Sequence, residues 1–118
     1  MTLTPVEIAV AFSTHRFTEA EPYLAEGVFW DLVGGKPLLT KAEVLELGAS
    51  STEVLESNKS TTFLEQRVID GGDTVVVDSV IEYVSEQSET SVVSSCDLYE
   101  FENGLVTHIR SYAGERSF

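Results

Sequence analysis

Asn103-Gly104 stands between two alternating runs, Ser95 to Glu102 and Leu105 to Tyr112, and this constrains the fold more than any other feature of the chain. Asn-Gly supplies two residues that tolerate positive φ, which a two-residue type I′ turn requires and which matches the twist of paired strands. The two runs are therefore expected to form an antiparallel hairpin. Side chains alternate along a strand, so Ser95, Asp97, Tyr99 and Phe101 share one face while Cys96, Leu98 and Glu100 share the other. Asp97 stands in a mostly apolar row. A carboxylate in such a row either finds hydrogen-bond partners or has its pKa raised, and a raised carboxyl in a cleft is a candidate functional group. The alternative is a carboxylate solvated at an edge or held by backbone amides.

The hairpin extends upstream into a longer pattern. Thr61 to Ile69, Thr74 to Ser85, Thr90 to Glu102 and Leu105 to Ala113 are rich in β-branched and aromatic residues, with turn signals at Asp70-Gly71-Gly72-Asp73 and around Gln87-Ser88. They predict a long antiparallel meander. Before it, Thr4-Pro5-Val6-Glu7, Thr18-Glu19-Ala20-Glu21 and Thr40-Lys41-Ala42-Glu43 each combine a capping hydroxyl with a glutamate that can bond back to it. Three helices are expected: Pro5 to Arg16, a short one ending by Gly27, and Lys41 to Leu55, the last weakened by Gly48 and Ser50-Ser51-Thr52. A short strand, Val28 to Leu32, precedes a turn at Gly34-Gly35-Lys36-Pro37. The expected architecture is α+β: a cone-shaped α+β barrel, with three N-terminal helices packed in a strongly curved antiparallel sheet. The mouth of such a cone is a natural small-molecule pocket. At 118 residues, positions 1–118 form a single domain.

Asp plus Glu number 20 against 7 Lys plus Arg, a formal net charge of −13 that repels nucleic acid and anionic membrane surfaces. Cys96 is the single cysteine, which excludes an intrachain disulfide and fits a reducing, cytoplasmic setting. No basic leader followed by an apolar run and no membrane-length apolar stretch is present, so a soluble, unexported protein is expected. His15 and His108 lie in no metal-ligand spacing, and neither a metal nor a cofactor is expected.

Two segments carry a family resemblance. Tyr23-Leu24-Ala25-Glu26-Gly27-Val28-Phe29-Trp30-Asp31-Leu32-Val33-Gly34-Gly35-Lys36-Pro37 and the run from Cys96 to Tyr112 resemble the helix end, Trp-bearing strand and closing hairpin of nuclear transport factor 2-like proteins, and among these the SnoaL-like and ketosteroid-isomerase-like groups. The resemblance implies that Asp97 occupies the position of the protonated aspartic acid in a ketosteroid isomerase oxyanion hole. It also implies that Leu32 stands where that family has its general-base aspartate, with Asp31 one residue away on the opposite strand face. The position of the family's oxyanion tyrosine falls near Ile8 or Phe12, which carry no hydroxyl.

With the turn centred on Gln87-Ser88, Asp78 is expected opposite Asp97 on the same face, where two carboxylates would share a proton; Glu82 has the same parity. Tyr99 lies two positions from Asp97, about 7 Å along the strand. Phe12, Trp30, Leu32, Ser95, Tyr99, Ile109 and Ser111 are the expected ligand-binding residues, around Asp97, Asp78 and Asp31 as catalytic candidates. Two functions stay open. One is an isomerase, cyclase or dehydratase acting on a small neutral, largely apolar carbonyl compound, with Asp97 as acid or donor. The other is a non-catalytic ligand-binding or accessory module. His108, Arg110 and Tyr112 fall on the outer face, where a homodimer is expected.

Overall fold

The computed structural model describes residues 2–116. In α1 (Pro5–Ser13) the capping exchange forms as the sequence predicts: Thr4 Oγ1 accepts from the Glu7 N–H at 3.2 Å, and the Glu7 carboxylate accepts from the Thr4 N–H at 2.9 Å. Two otherwise unpaired helix donors are thereby satisfied. The helix stops short of Arg16. His15 adopts φ 66°, the Arg16 N–H reaches back to the Ala11 carbonyl at 2.8 Å, and the His15 N–H reaches that of Phe12 at 3.1 Å. This is a Schellman closure with histidine in the left-handed position that glycine usually fills.

The chain re-enters a helix at once. One turn, α2 (Phe17–Ala20), runs into a 3₁₀ turn over Glu21–Tyr23 that accommodates Pro22. Thr18, expected as a cap, therefore lies inside α2, because the closure of α1 ends at Arg16 and leaves no intervening loop. The strand β1 (Leu24–Leu32) begins four residues before the expected Val28, with an irregular register between Leu24 and Phe29.

The helix α3 (Lys41–Ser57) runs unbroken through Gly48 and the serine run. Thr40 caps it, accepting from the Glu43 N–H at 3.2 Å. Gly48 has a packing reason, since a Cβ there would stand 3.2 Å from Cγ and 3.3 Å from Cβ of Phe17. The glycine is where α3 crosses the Phe17 side chain, and tertiary contact overrides its poor helix propensity.

The strands β2 (Ser60–Asp70), β3 (Thr74–Val84), β4 (Thr90–Glu102) and β5 (Leu105–Glu115) form the antiparallel meander, and β1 adds to β5 in parallel, giving the order β1-β5-β4-β3-β2. The sheet is thus curved, open and mixed rather than wholly antiparallel. Asn103 at φ 53° and Gly104 at φ 78° make the tight turn expected of them. Between β3 and β4 the loop of residues 85–89 is odd in length, with Ser88 at φ 63° and its N–H bonded to the Ser85 carbonyl at 2.9 Å. Val77, not Asp78, therefore faces Asp97, and Asp78 faces Cys96.

The core lies between α1 and the inner sheet face. Phe12 is its centre, with its ring edge-on to Phe17, Trp30 and Tyr99 at centroid distances of 5.1, 4.9 and 5.9 Å. Ile8, Ala9, Val28, Val44, Val75, Val77, Val106 and Ile109 fill the space around it. Among the described residues no helix is long and apolar enough to cross a membrane. Gly48→Val is expected to destabilise the protein by about 1–3 kcal/mol by forcing Phe17 aside, well beyond a helix-propensity gain of a few tenths. Urea unfolding measures this, and unchanged stability would show that Phe17 has room to move.

Candidate active site

A cavity of about 710 Å³ opens between the end of α1, one side of α3 and the inner face of β3, β4 and β5. Its walls are mainly apolar, with Phe12, Phe17, Trp30 and Leu32 on one side and Leu47, Leu55, Ile81 and Val93 around them. Toward the β3–β4 turn the lining becomes polar, through Ser85, Glu89, Ser91 and Asn58. Ser50 and Ser51, which in sequence read only as weak helix formers, are α3's polar contribution to the same wall.

Asp97 collects the polar contacts inside. Ser13, the last residue of α1, donates from Oγ to Asp97 Oδ2 at 2.8 Å. The single Ser13 proton is thereby used, so the Tyr99 hydroxyl supplies the proton in its own 2.5 Å bond to Ser13 Oγ. Ser111 pairs with Asp97 across the β4–β5 ladder, and its hydroxyl favours the ionised carboxylate. On the far side of Ser111 the Trp30 indole N–H donates to Oγ at 2.9 Å. Indole can only donate, so Ser111 Oγ accepts here and keeps its own proton for another acceptor. Ser13 and Ser111 thus flank one carboxyl, which also lines the cavity. Burial pushes the Asp97 pKa up, and the bonds from Ser111 and Ser13 draw it part of the way back. Tyr99 is fully buried, and burial with the nearby Asp97 charge holds its hydroxyl well above the usual range.

A second polar pair lines the cavity. His15 Nε2 lies 3.3 Å from the Tyr83 hydroxyl, with the imidazole among the rings of Phe17, Phe63 and Tyr83 at 5.8, 5.9 and 6.5 Å. Burial lowers the His15 pKa, and burial with the Asp97 charge raises that of Tyr83. Both are biased toward their neutral forms.

Phe12, Trp30, Leu32, Ser95, Asp97 and Ser111 come together around this one space. Tyr99 and Ile109, expected as ligand contacts, are core residues with 0% exposure beneath its floor, because Phe12 fills the space above Tyr99. Asp31 projects to the outer face and accepts from Arg110 Nε at 3.2 Å. Asp78 is exposed on that same face, and Glu82 shares its parity there. These are corrections to the expected catalytic set, and the odd β3–β4 loop accounts for Asp78. The same one-residue shift brings Ile81 and Tyr83 inward, where the assumed register had turned them out. His15 carried a usable signal, since helical spacing puts it beside Ile8 and Phe12. Ser13 carried none. Among the described residues no group of three or more His, Cys, Asp or Glu side chains is placed to hold a metal ion.

The fold of this chain recurs in solved structures. The chain has the nuclear transport factor 2-like fold. A nuclear transport factor 2-like protein of unknown function from Cytophaga hutchinsonii matches with a TM-score of 0.81 at 23% identity, over 91% of this chain and 93% of that one. A Catenulispora acidiphila protein with a ketosteroid isomerase-like fold, solved with trimethylamine, gives 0.69 at 16% identity over 93% and 86%. A candidate polyketide cyclase from Xanthomonas campestris gives 0.70 at 18% identity over 89% and 83%. No protein-family model and no curated protein matches the sequence. At these identities the likeness establishes the nuclear transport factor 2-like fold and leaves the chemistry to the site.

The raised Asp97 pKa fixes a pH dependence. A carboxyl held above its ordinary value of 3.8 binds its proton more tightly folded than unfolded, so the stability associated with it is full at low pH. That stability is lost as pH rises from 3.8 through the folded value, and the curve is flat above it. Wild type is accordingly expected to lose ground to Asp97→Asn over this window, as measured by urea unfolding from pH 3 upward. The opposite slope would show a carboxylate that folding stabilises.

Proposed function

We propose that the protein is a SnoaL-like domain that binds a small, neutral, largely apolar carbonyl compound in this cavity and transfers a proton on it, as an isomerase, cyclase or dehydratase does. Asp97 is the acid or hydrogen-bond donor to the carbonyl oxygen, and no cofactor is called on. The observation that carries the reading is the Asp97 carboxyl in the mainly apolar part of the cavity wall, held by the Ser13 hydroxyl and pushed by burial toward its protonated form. A donor fixed in this way stabilises negative charge as it develops on an enol oxygen without rearranging during the reaction. The ketosteroid isomerase-like fold of the Catenulispora protein and the candidate cyclase assignment of the Xanthomonas protein support the same class.

One observation favours a second reading, a binding module without catalysis. Leu32 lines the cavity at the position where the resemblance places a general base, and Asp31 and Asp78 lie on the outer face. A compound that the protein returns unchanged from a solution containing it would favour this reading. The experiment common to both is mass spectrometry of small molecules extracted from the purified protein, followed by fluorescence titration with 2-naphthol as a neutral aromatic probe. Asp97→Asn is expected to keep most of the 2-naphthol affinity because the amide still donates. Asp97→Ala should weaken it about five- to tenfold, a hydrogen bond's worth of roughly 1 kcal/mol or more. An Asp97→Ala variant that binds as tightly as wild type would remove Asp97 from the site.

We further propose a cytoplasmic homodimer formed through the outer sheet face. There Val76, Leu98 and Arg110 lie in one cross-strand row, beside the row of Asp78, Cys96 and Tyr112. Tyr112 is 47% exposed, and Val76 and Leu98 beside it are half-buried. Sedimentation is expected to give a dimer at micromolar concentration and a monomer for Leu98→Asp. A wild-type monomer at that concentration would contradict this.

A further inference from the structure

Among the polar features of the cavity that the Asp97 chemistry leaves unused is the His15–Tyr83 pair. Both residues line the cavity, yet they come from different elements and meet only because the α1 closure turns the chain sharply at His15. His15 holds a left-handed backbone, φ 66°, at a helix end where glycine or asparagine is the ordinary choice. A non-glycine residue kept in that conformation points to a use for its side chain. The imidazole is wedged among Phe17, Phe63 and Tyr83, which fixes its plane, and Nε2 holds the Tyr83 hydroxyl.

We infer that the Tyr83 hydroxyl, oriented by His15, is a second hydrogen-bonding pole of the cavity, and that the ligand carries two oxygen functions on an apolar frame, one for Asp97 and one for Tyr83. The inference rests on the reading of the cavity as a small-molecule site. One hydroxyl has one proton and accepting lone pairs, and a single bond to imidazole uses one of these capacities. If Nε2 is unprotonated, Tyr83 donates to it and offers its lone pairs to the cavity. If Nε2 carries the proton, Tyr83 accepts and offers its own proton. A ligand hydroxyl answers either arrangement, while the Asp97 pole suits a carbonyl or a second hydroxyl. The apolar walls between the poles recognise the frame that joins the two oxygens. His15 acts through Tyr83 and is a positioning residue.

The test compares 2-naphthol with a set of naphthalenediols whose hydroxyl separations differ (1,3-, 1,5-, 1,6-, 2,6- and 2,7-), and the readout is the ratio of each diol's affinity to that of 2-naphthol. At least one diol is expected to bind about tenfold tighter than 2-naphthol, the worth of one added hydrogen bond. Tyr83→Phe should return that ratio to about one. His15→Asn, which suits the left-handed backbone, should lower it part of the way. A merely structural role for His15 would weaken both probes alike and leave the ratio unchanged, which would overturn the positioning assignment. The second pole is overturned if no diol exceeds 2-naphthol, or if the gain survives Tyr83→Phe. If 2-naphthol binds through Asp97 and no diol gains, the second pole falls alone. If 2-naphthol and every diol fail to bind, the small-molecule reading falls and takes the second pole with it, and if 2-naphthol binds without regard to Asp97, the two-pole assignment is overturned at Asp97.

Discussion

Removing one carboxyl from water organises the functional end of this molecule. An aspartate in a mostly apolar cavity must be given donors or be kept protonated, and here both happen in part. The polar groups around it come from three separate places: Ser13 at the end of α1, Ser111 on β5 and, behind Ser111, the Trp30 indole on β1. Ser13 ties the first helix to β4 by a directional bond, and Trp30 ties the first strand to the last. Phe12 supplies the non-directional counterpart by placing its ring against Phe17, Trp30 and Tyr99. Directional bonds fix positions that hydrophobic contact leaves adjustable.

The architecture was largely written in local chemistry. Thr4 with Glu7 and Thr40 with Glu43 started helices where capping predicts them, and Asn103-Gly104 set the final hairpin. These features are legible because they depend on a few neighbouring residues. What escaped depends on residues far apart. Thr18 looked like a cap until the closure of α1 absorbed the preceding loop, and Gly48 looked like a weak point until Phe17 was seen against it. The parallel pairing of β1 with β5 joins strands about two thirds of the chain apart and leaves no local sign.

The site shows the same division more sharply. Alternation on strands bounded by local turn signals gives Asp97, Trp30, Leu32 and Ser111 their faces, and all four line the cavity. Asp78 was misplaced by a single residue of loop length, because Gln87-Ser88 marks a turn without fixing how many residues it contains. Tyr83 was hidden by that same residue. Ser13 lies at a helix end, where periodicity gives no direction to a small side chain, and its role is visible only once α1 is laid against β4.

The last turn of α1 has an electrostatic consequence. Peptide dipoles along a helix place partial negative charge at its C-terminal end, an effect confined to the final turn and typically about 0.3–1 kcal/mol. Ser13 ends α1 and touches Asp97 at 2.8 Å, so the negative end of the helix stands beside the carboxyl. The backbone field there opposes ionisation in the same sense as burial, while the serine hydroxyl at the same helix end favours it. One helical turn thus delivers two opposing influences to a single proton. The length of α1, set by the left-handed residue that stops it, helps to determine the acidity of a group on a strand far away in sequence.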